Sequence, residues 1–218
     1  AGVATTLLAA PAIVKAQPVV RWLCSSGFPK SLDAIYCAAE DTAKRVAEAT
    51  GGKFQISVAP AGEIVPMPQA ADAVAAGTVE CSHTAAFYYV GKDPAWAFGS
   101  CIPFGMNFRQ MNAWWMEGGG EKLFNDWLRP QGVRYIISGN TGAQMGGWFR
   151  KEIASMDDVK GLKMRIPGLG GRLFSAVGAV PQQIPGGDIY PALERGTIDA
   201  AEWVGPYDDE KLGFHKVA

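Results

Sequence analysis

The chain has almost no net charge. Its 218 residues carry 20 Lys and Arg against 21 Asp and Glu, a formal balance of −1. That near-neutrality removes the main argument for a nucleic-acid or anionic-membrane partner. Histidine is scarce, with two residues, and the four cysteines form no CxxC pair, so a zinc knuckle is not indicated. No GxSxG, HExxH or Ser-x-x-Lys occurs. Gly168-Leu169-Gly170-Gly171 fails as a dinucleotide fingerprint because Leu173 stands at the third glycine position. The 27 glycines and 14 prolines are spread along the chain, so no linker or disordered stretch stands out, and no internal repeat is visible.

What is present is a chain 48% hydrophobic, enough for a sizeable core in one or two domains. Ala1 to Val14 is uncharged and too short to span a bilayer. It ends in Val14-Lys15-Ala16, a small-x-small pattern read by signal peptidase. Residues 1–16 are therefore expected to be a signal-peptide remnant, with the mature chain starting near Gln17 and working outside the cytoplasm. In such a compartment Cys24, Cys37, Cys81 and Cys101 can pair. Cys24 on the first strand could meet Cys37 on the next helix, but four buried small hydrophobes is the preferred reading.

Strands and helices alternate. Val19 to Cys24 reads as a buried strand. Ser31 is expected to cap a helix whose inner face is Ile35, Ala38, Ala39, Ala43, Val46 and Ala47, ended by Gly51-Gly52. Phe54 to Val58 reads as a strand, Met67 to Ala76 as a short helix, and Val79 to Thr84 as a strand. Phe108 to Trp127 reads as two helices broken at Gly118-Gly119-Gly120, and Val133 to Ser138 as a strong strand. This alternation argues α/β architecture.

The most informative stretch is Asn140-Thr141-Gly142-Ala143-Gln144, followed by Met164-Arg165-Ile166 and by Asp199-Ala200-Ala201-Glu202-Trp203. An arginine inside an apolar strand is rarely left unpaired, because desolvating a lone ion is costly. Its planar fork suits a carboxylate. Two readings stand for Arg165: a clamp for a small organic anion, or a structural bridge to Glu202. Asn140 and Gln144 also fit ordinary turn chemistry. Trp148 reads better as a core aromatic, and His83 and His215 as packing or surface residues.

From about Val19 to the last residue, the chain resembles the solute receptors of tripartite ATP-independent periplasmic (TRAP) transporters, in the branch that captures 2-oxo acids. The phrases that carry this are Phe28-Pro29-Lys30-Ser31-Leu32-Asp33, Pro60-Ala61-Gly62-Glu63-Ile64-Val65, Gly77-Thr78-Val79-Glu80-Cys81 and Gly91-Lys92-Asp93-Pro94. The most specific is Gly186-Gly187-Asp188-Ile189-Tyr190-Pro191-Ala192-Leu193-Glu194, with Glu202-Trp203 after it. The resemblance implies a type II periplasmic binding protein fold, two α/β domains around a cleft. Residues 17–138 would form the first domain and 139–218 the second, both incomplete without a further C-terminal part. It implies a periplasmic receptor for a pyruvate-like monocarboxylate, not an enzyme, that delivers its ligand to TRAP membrane permease subunits. The resemblance leaves room for a homodimer through that C-terminal part. Tyr88, Tyr89, Asn140, Gln144, Arg165 and Trp203 would bind the ligand. Gln144, Glu202 and the Trp203 carbonyl would hold Na⁺ or Ca²⁺, since an all-oxygen set suits a hard cation. Receptors for lactate, a dicarboxylate or a sugar acid, a sensor protein, and a metal-dependent enzyme acting on 2-oxo acids are the alternatives.

Overall fold

The computed structural model describes residues 18–218, so the expected signal-peptide remnant lies outside it. The first half runs β1 (Val20–Ser26), α1 (Asp33–Ala49), β2 (Phe54–Ala59), α2 (Ala70–Ala75), β3 (Cys81–His83), α3 (Phe108–Met116) and α4 (Gly120–Leu128). The second runs β4 (Trp148–Phe149), β5 (Lys163–Arg165), α5 (Gly168–Ala176), β6 (Val180–Gln182), α6 (Gly186–Glu194), β7 (Ala200–Ala201) and α7 (Pro206–Lys211). Short 3₁₀ turns join them, including Ala86–Tyr89.

The first sheet is fully parallel, in the order β2-β1-β3. The second has the order β4-β7-β5-β6 and is parallel except for β4 against β7. The architecture is thus mixed α/β with parallel sheets. One large apolar cluster joins residues of both halves, among them Leu32, Tyr89, Trp96, Trp115, Ile189, Trp203 and Phe214. A smaller cluster of Val159, Leu162, Met164, Ile166, Ala179 and Ala200 lies in the second sheet. No helix among the described residues is long and apolar enough to cross a membrane.

Several expectations need correction. Ser31 does not cap α1: the helix opens after Leu32, without a side-chain cap bond. Leu32 is fully buried, and its carbonyl accepts from the Ile35 and Tyr36 N–H groups. Packing of Leu32 therefore sets the helix start. The expected inner face of α1 does turn inward, with Ala43 buried and Ile35, Ala38, Ala39, Val46 and Ala47 half-buried. It is joined by Tyr36, whose hydroxyl donates to the Val58 carbonyl at 3.2 Å.

Val133 to Ser138 is not assigned as a strand. Its residues alternate half-buried and exposed, as a half-buried strand would. Its neighbour, however, is a side chain. The Asn125 amide donates to the Tyr135 carbonyl at 3.0 Å and accepts from the Tyr135 N–H at 2.7 Å. Sequence alternation specifies extended backbone but not the presence of a ladder partner. The cysteines also differ from the preferred reading, for only Cys24 is buried while Cys37 and Cys101 are exposed.

Candidate functional site

The site is assembled by β5, the chain leaving β7 and the 3₁₀ turn Ala86–Tyr89. Arg165 ends β5 and is 1% exposed. Its backbone carbonyl accepts from the Glu202 N–H at 2.9 Å, which fixes the two residues side by side. The guanidinium donates through Nε to the Ile184 carbonyl at 3.1 Å and through one terminal nitrogen to the Glu202 carbonyl at 2.6 Å. The same nitrogen lies 3.4 Å from the Glu202 carboxylate. The other terminal nitrogen donates to the Tyr88 hydroxyl at 3.1 Å. The Trp203 ring packs over the guanidinium carbon at 4.8 Å from its centroid. A guanidinium has five N–H donors. These contacts leave one hydrogen of the outer nitrogen, and one shared only with a distant carboxylate oxygen.

Both readings of Arg165 therefore have a physical basis. A bridge to Glu202 exists, but its strongest link is to the backbone carbonyl rather than the carboxylate. Burial raises the Glu202 carboxyl to about 7, with Arg165 pulling it down and Asp209 pushing it up. Burial therefore outweighs the neighbouring guanidinium, and the Glu202 carboxylate is short of positive charge. The Trp203 indole N–H is buried with no hydrogen-bond partner among the described residues. A buried orphan donor costs about 1–3 kcal/mol.

Glycine makes this packing feasible at two places. A Cβ on Gly186 would lie 2.6 Å from the Trp203 ring, so the start of α6 can meet the indole only without a side chain. Gly147 has φ +138, and its Cβ would lie 2.9 Å from the Ala201 carbonyl. That bareness lets the chain entering β4 approach β7 closely. Beyond it, the Met145 N–H donates to the Val204 carbonyl at 2.9 Å. This brings the 140–145 segment against the Glu202–Val204 segment.

The other expected residues fall as follows. Gln144 is exposed, and its amide nitrogen donates to Thr141 Oγ1 at 3.0 Å, leaving the amide oxygen out of that bond. The Asn140 side-chain oxygen accepts from the Gly142 N–H at 2.7 Å, which is turn chemistry. Of the two tyrosines, Tyr88 faces Arg165. The Tyr89 hydroxyl donates to the Met67 carbonyl at 3.2 Å and lies 2.9 Å from Thr84 Oγ1. The main chain of Tyr88 is held from the other side by the Gln183 amide, which donates to its carbonyl at 3.1 Å. Two surface depressions of about 420 and 550 Å³ lie over α1 and beside β4, and neither is lined by Arg165.

Asp209 is a positioning residue that the sequence reading missed. It is 1% exposed. Its carboxylate accepts from the Val204 and Gly205 N–H groups at 3.0 and 3.1 Å and from the Trp148 indole at 2.8 Å. The available signal was the Gly205-Pro206 helix start with acids in the first turn, where a carboxylate can reach back to orphan N–H groups. Asp209→Ala strands those donors and is expected to cost about 2–4 kcal/mol of stability. A urea midpoint within error of wild type would contradict this role.

Among the described residues no group of three or more His, Cys, Asp and Glu could hold a metal ion. A cation here would thus need neutral oxygens beside one carboxylate, which is the chemistry of the Gln144 amide, the Trp203 carbonyl and Glu202. The buried Glu202 carboxyl, whose burial penalty Arg165 offsets only in part, fits such an ion.

Comparison with known proteins gives the family and the fold. Residues 26–218 match the family model DctP, bacterial extracellular solute-binding protein, family 7. The chain is 56% identical over 201 residues to a monocarboxylate 2-oxoacid-binding periplasmic protein of Nostoc sp., covering 92% of this chain and 55% of that protein. A TRAP transporter solute-binding protein from Bordetella bronchiseptica is 55% identical with a TM-score of 0.90, over 93% of this chain and 60% of that one. It is a mixed-occupancy dimer with copurified calcium and picolinate in one active site. A TRAP periplasmic solute-binding protein from Pseudoalteromonas atlantica, with bound sodium and pyruvate, is 40% identical with a TM-score of 0.88, over 92% of this chain and 61% of that one. The chain thus spans between half and two thirds of the length of these relatives. The chain belongs to the DctP family of bacterial extracellular solute-binding proteins, and its fold is that of the TRAP periplasmic receptors.

Proposed function

We propose that the whole protein is a periplasmic receptor that captures a small 2-oxo monocarboxylate, pyruvate or a close analogue, together with Na⁺ or Ca²⁺. It then delivers the ligand to TRAP membrane permease subunits. The observation that carries this is Arg165. It is fully buried, retains donor capacity, and sits between Tyr88, Glu202 and the orphan indole of Trp203. The Nostoc and Pseudoalteromonas relatives, named for a 2-oxoacid and for pyruvate, support the same ligand class.

In this reading the ligand carboxylate takes the free Arg165 N–H, with Asn140 and a tyrosine hydroxyl assisting. The cation chelates a carboxylate oxygen and the ketone oxygen, held by Gln144, Glu202 and the Trp203 carbonyl. The domains divide near Ser138 to Gln144, and closure over the anion strengthens each pair by excluding water. Binding favours the closed state only through contacts made to both sides at once. A receptor rather than an enzyme is supported by the family's description as solute-binding. Titration calorimetry of the full-length protein with pyruvate and propionate, with and without each cation, tests the reading. Pyruvate is expected to bind far more tightly than propionate, and only with cation; equal affinities would reject the chelate.

The two tyrosines separate site from core. Tyr88→Phe removes one hydrogen bond to a charged group and is expected to weaken pyruvate binding by roughly 10- to 150-fold, since such bonds contribute about 1.5–3 kcal/mol. Tyr89→Phe removes a bond within the core and is expected to lower stability by about 1 kcal/mol with little change in affinity. The reverse pattern, measured by calorimetry and urea unfolding, would move the ligand to the other tyrosine.

A further inference from the structure

Strands β1 and β3 run side by side in parallel, and their register sets Cys24 directly opposite Cys81. In-register neighbours project from the same face of a sheet, with strands about 4.8 Å apart. That spacing falls within the window of roughly 4.4–6.8 Å between Cα atoms that a disulfide requires. The two thiols are close enough to shift each other's titration in opposite directions. Cys37, exposed on α1, and Cys101, exposed before α3, lie outside this sheet.

We propose that Cys24 and Cys81 are a disulfide site, closed by a disulfide-bearing oxidant of the compartment outside the cytoplasm. Exposure sets the order of attack: Cys81 is half-buried and Cys24 is buried. The Cys81 thiolate attacks one sulfur of the oxidant's disulfide and expels the other as a thiolate. The Cys24 thiolate then attacks the Cys81 sulfur of the mixed disulfide. The Cys24–Cys81 bond forms, and the oxidant leaves reduced to its dithiol, having taken two electrons, while the two thiol protons go to the thiolates released. The neighbouring Cys24 thiol holds the Cys81 thiol below its usual range, which favours Cys81 as the first nucleophile. The same neighbour, with burial, holds the Cys24 thiol high.

The bridge would join the two strand ends that lead into the site. Beyond Cys24 the Gly27 N–H donates to the His83 carbonyl at 2.9 Å, and Ser26 Oγ lies 3.2 Å from His83 Nδ1. Beyond His83 the chain reaches Tyr88.

The full-length protein is equilibrated over a glutathione redox series, quenched with iodoacetamide in denaturant, digested without reduction and analysed by mass spectrometry. At oxidising ratios the expected product is a peptide pair joining Cys24 to Cys81, lighter than the two reduced peptides by two hydrogens. Cys37 and Cys101 take the alkyl label or glutathione. The double variant Cys37→Ser, Cys101→Ser retains the bridge, and this variant leaves the strand pair untouched. Alkylation of both Cys24 and Cys81 throughout the series overturns the proposal. So does a bridge from Cys24 to Cys37.

Discussion

Replacing Arg165 by alanine is expected to weaken pyruvate binding by roughly two to four decades, because breaking a buried charge pair costs about 3–5 kcal/mol. The ligand carboxylate would be desolvated without a partner. The same change also removes donors from the Ile184 and Glu202 carbonyls, so the apo protein should lose stability as well. Arg165→Lys separates the two effects. An ammonium keeps the charge beside Glu202 but loses the planar fork, so affinity should fall at least tenfold while most of the stability loss is spared. Calorimetry on folded variants, checked by urea unfolding, decides the matter. Near-native affinity in Arg165→Ala would reduce Arg165 to a structural bridge.

Arg165 was legible because its sequence context is contradictory: a charge flanked by Met164 and Ile166, both buried in the structure. Such a conflict must be resolved by partners, and partners of an arginine have few chemistries. The helical pattern of α1 and the break between α3 and α4 were legible for a simpler reason, since periodicity and a glycine run act locally. Which tyrosine faces Arg165 was not legible. Tyr88 and Tyr89 are adjacent on a 3₁₀ turn, and their directions depend on how that turn docks between Gln183 and Met67. The partner of Cys24 was hidden likewise, because a register between strands far apart in sequence decides it. Asp209 lay outside the recognised phrases, and its role appears only when the chain after β7 folds back onto α7.

The second large effect concerns pH and the cation. Burial raises the Glu202 carboxyl from 4.5 to about 7, despite Arg165. Between those values the cation-free folded protein holds a proton that the unfolded chain has lost. The unfolded state then binds fewer protons, so stability falls as pH rises from about 4.5 through 7 and levels off above. The span corresponds to roughly 3 to 3.5 kcal/mol. Cation binding reverses the demand, because the metal needs the ionised carboxylate and releases the proton. Cation affinity, and with it pyruvate affinity, should therefore climb up to pH 7 and then flatten. Charge counting gives the same requirement. Arg165 supplies one positive charge against the ligand and Glu202, so a dry site without a cation is left negative. Glu202→Gln should flatten both pH profiles, weaken cation binding, and leave the cation-free fold at least as stable at pH 8, since a neutral amide avoids the burial cost of the charge. Titrations at several pH values, and after dialysis against a chelator in sodium-free buffer, test this directly. Pyruvate affinity that is unchanged by cation removal and flat from pH 5 to 8 would leave Glu202 as a simple partner of Arg165, with no ion between them and the ligand.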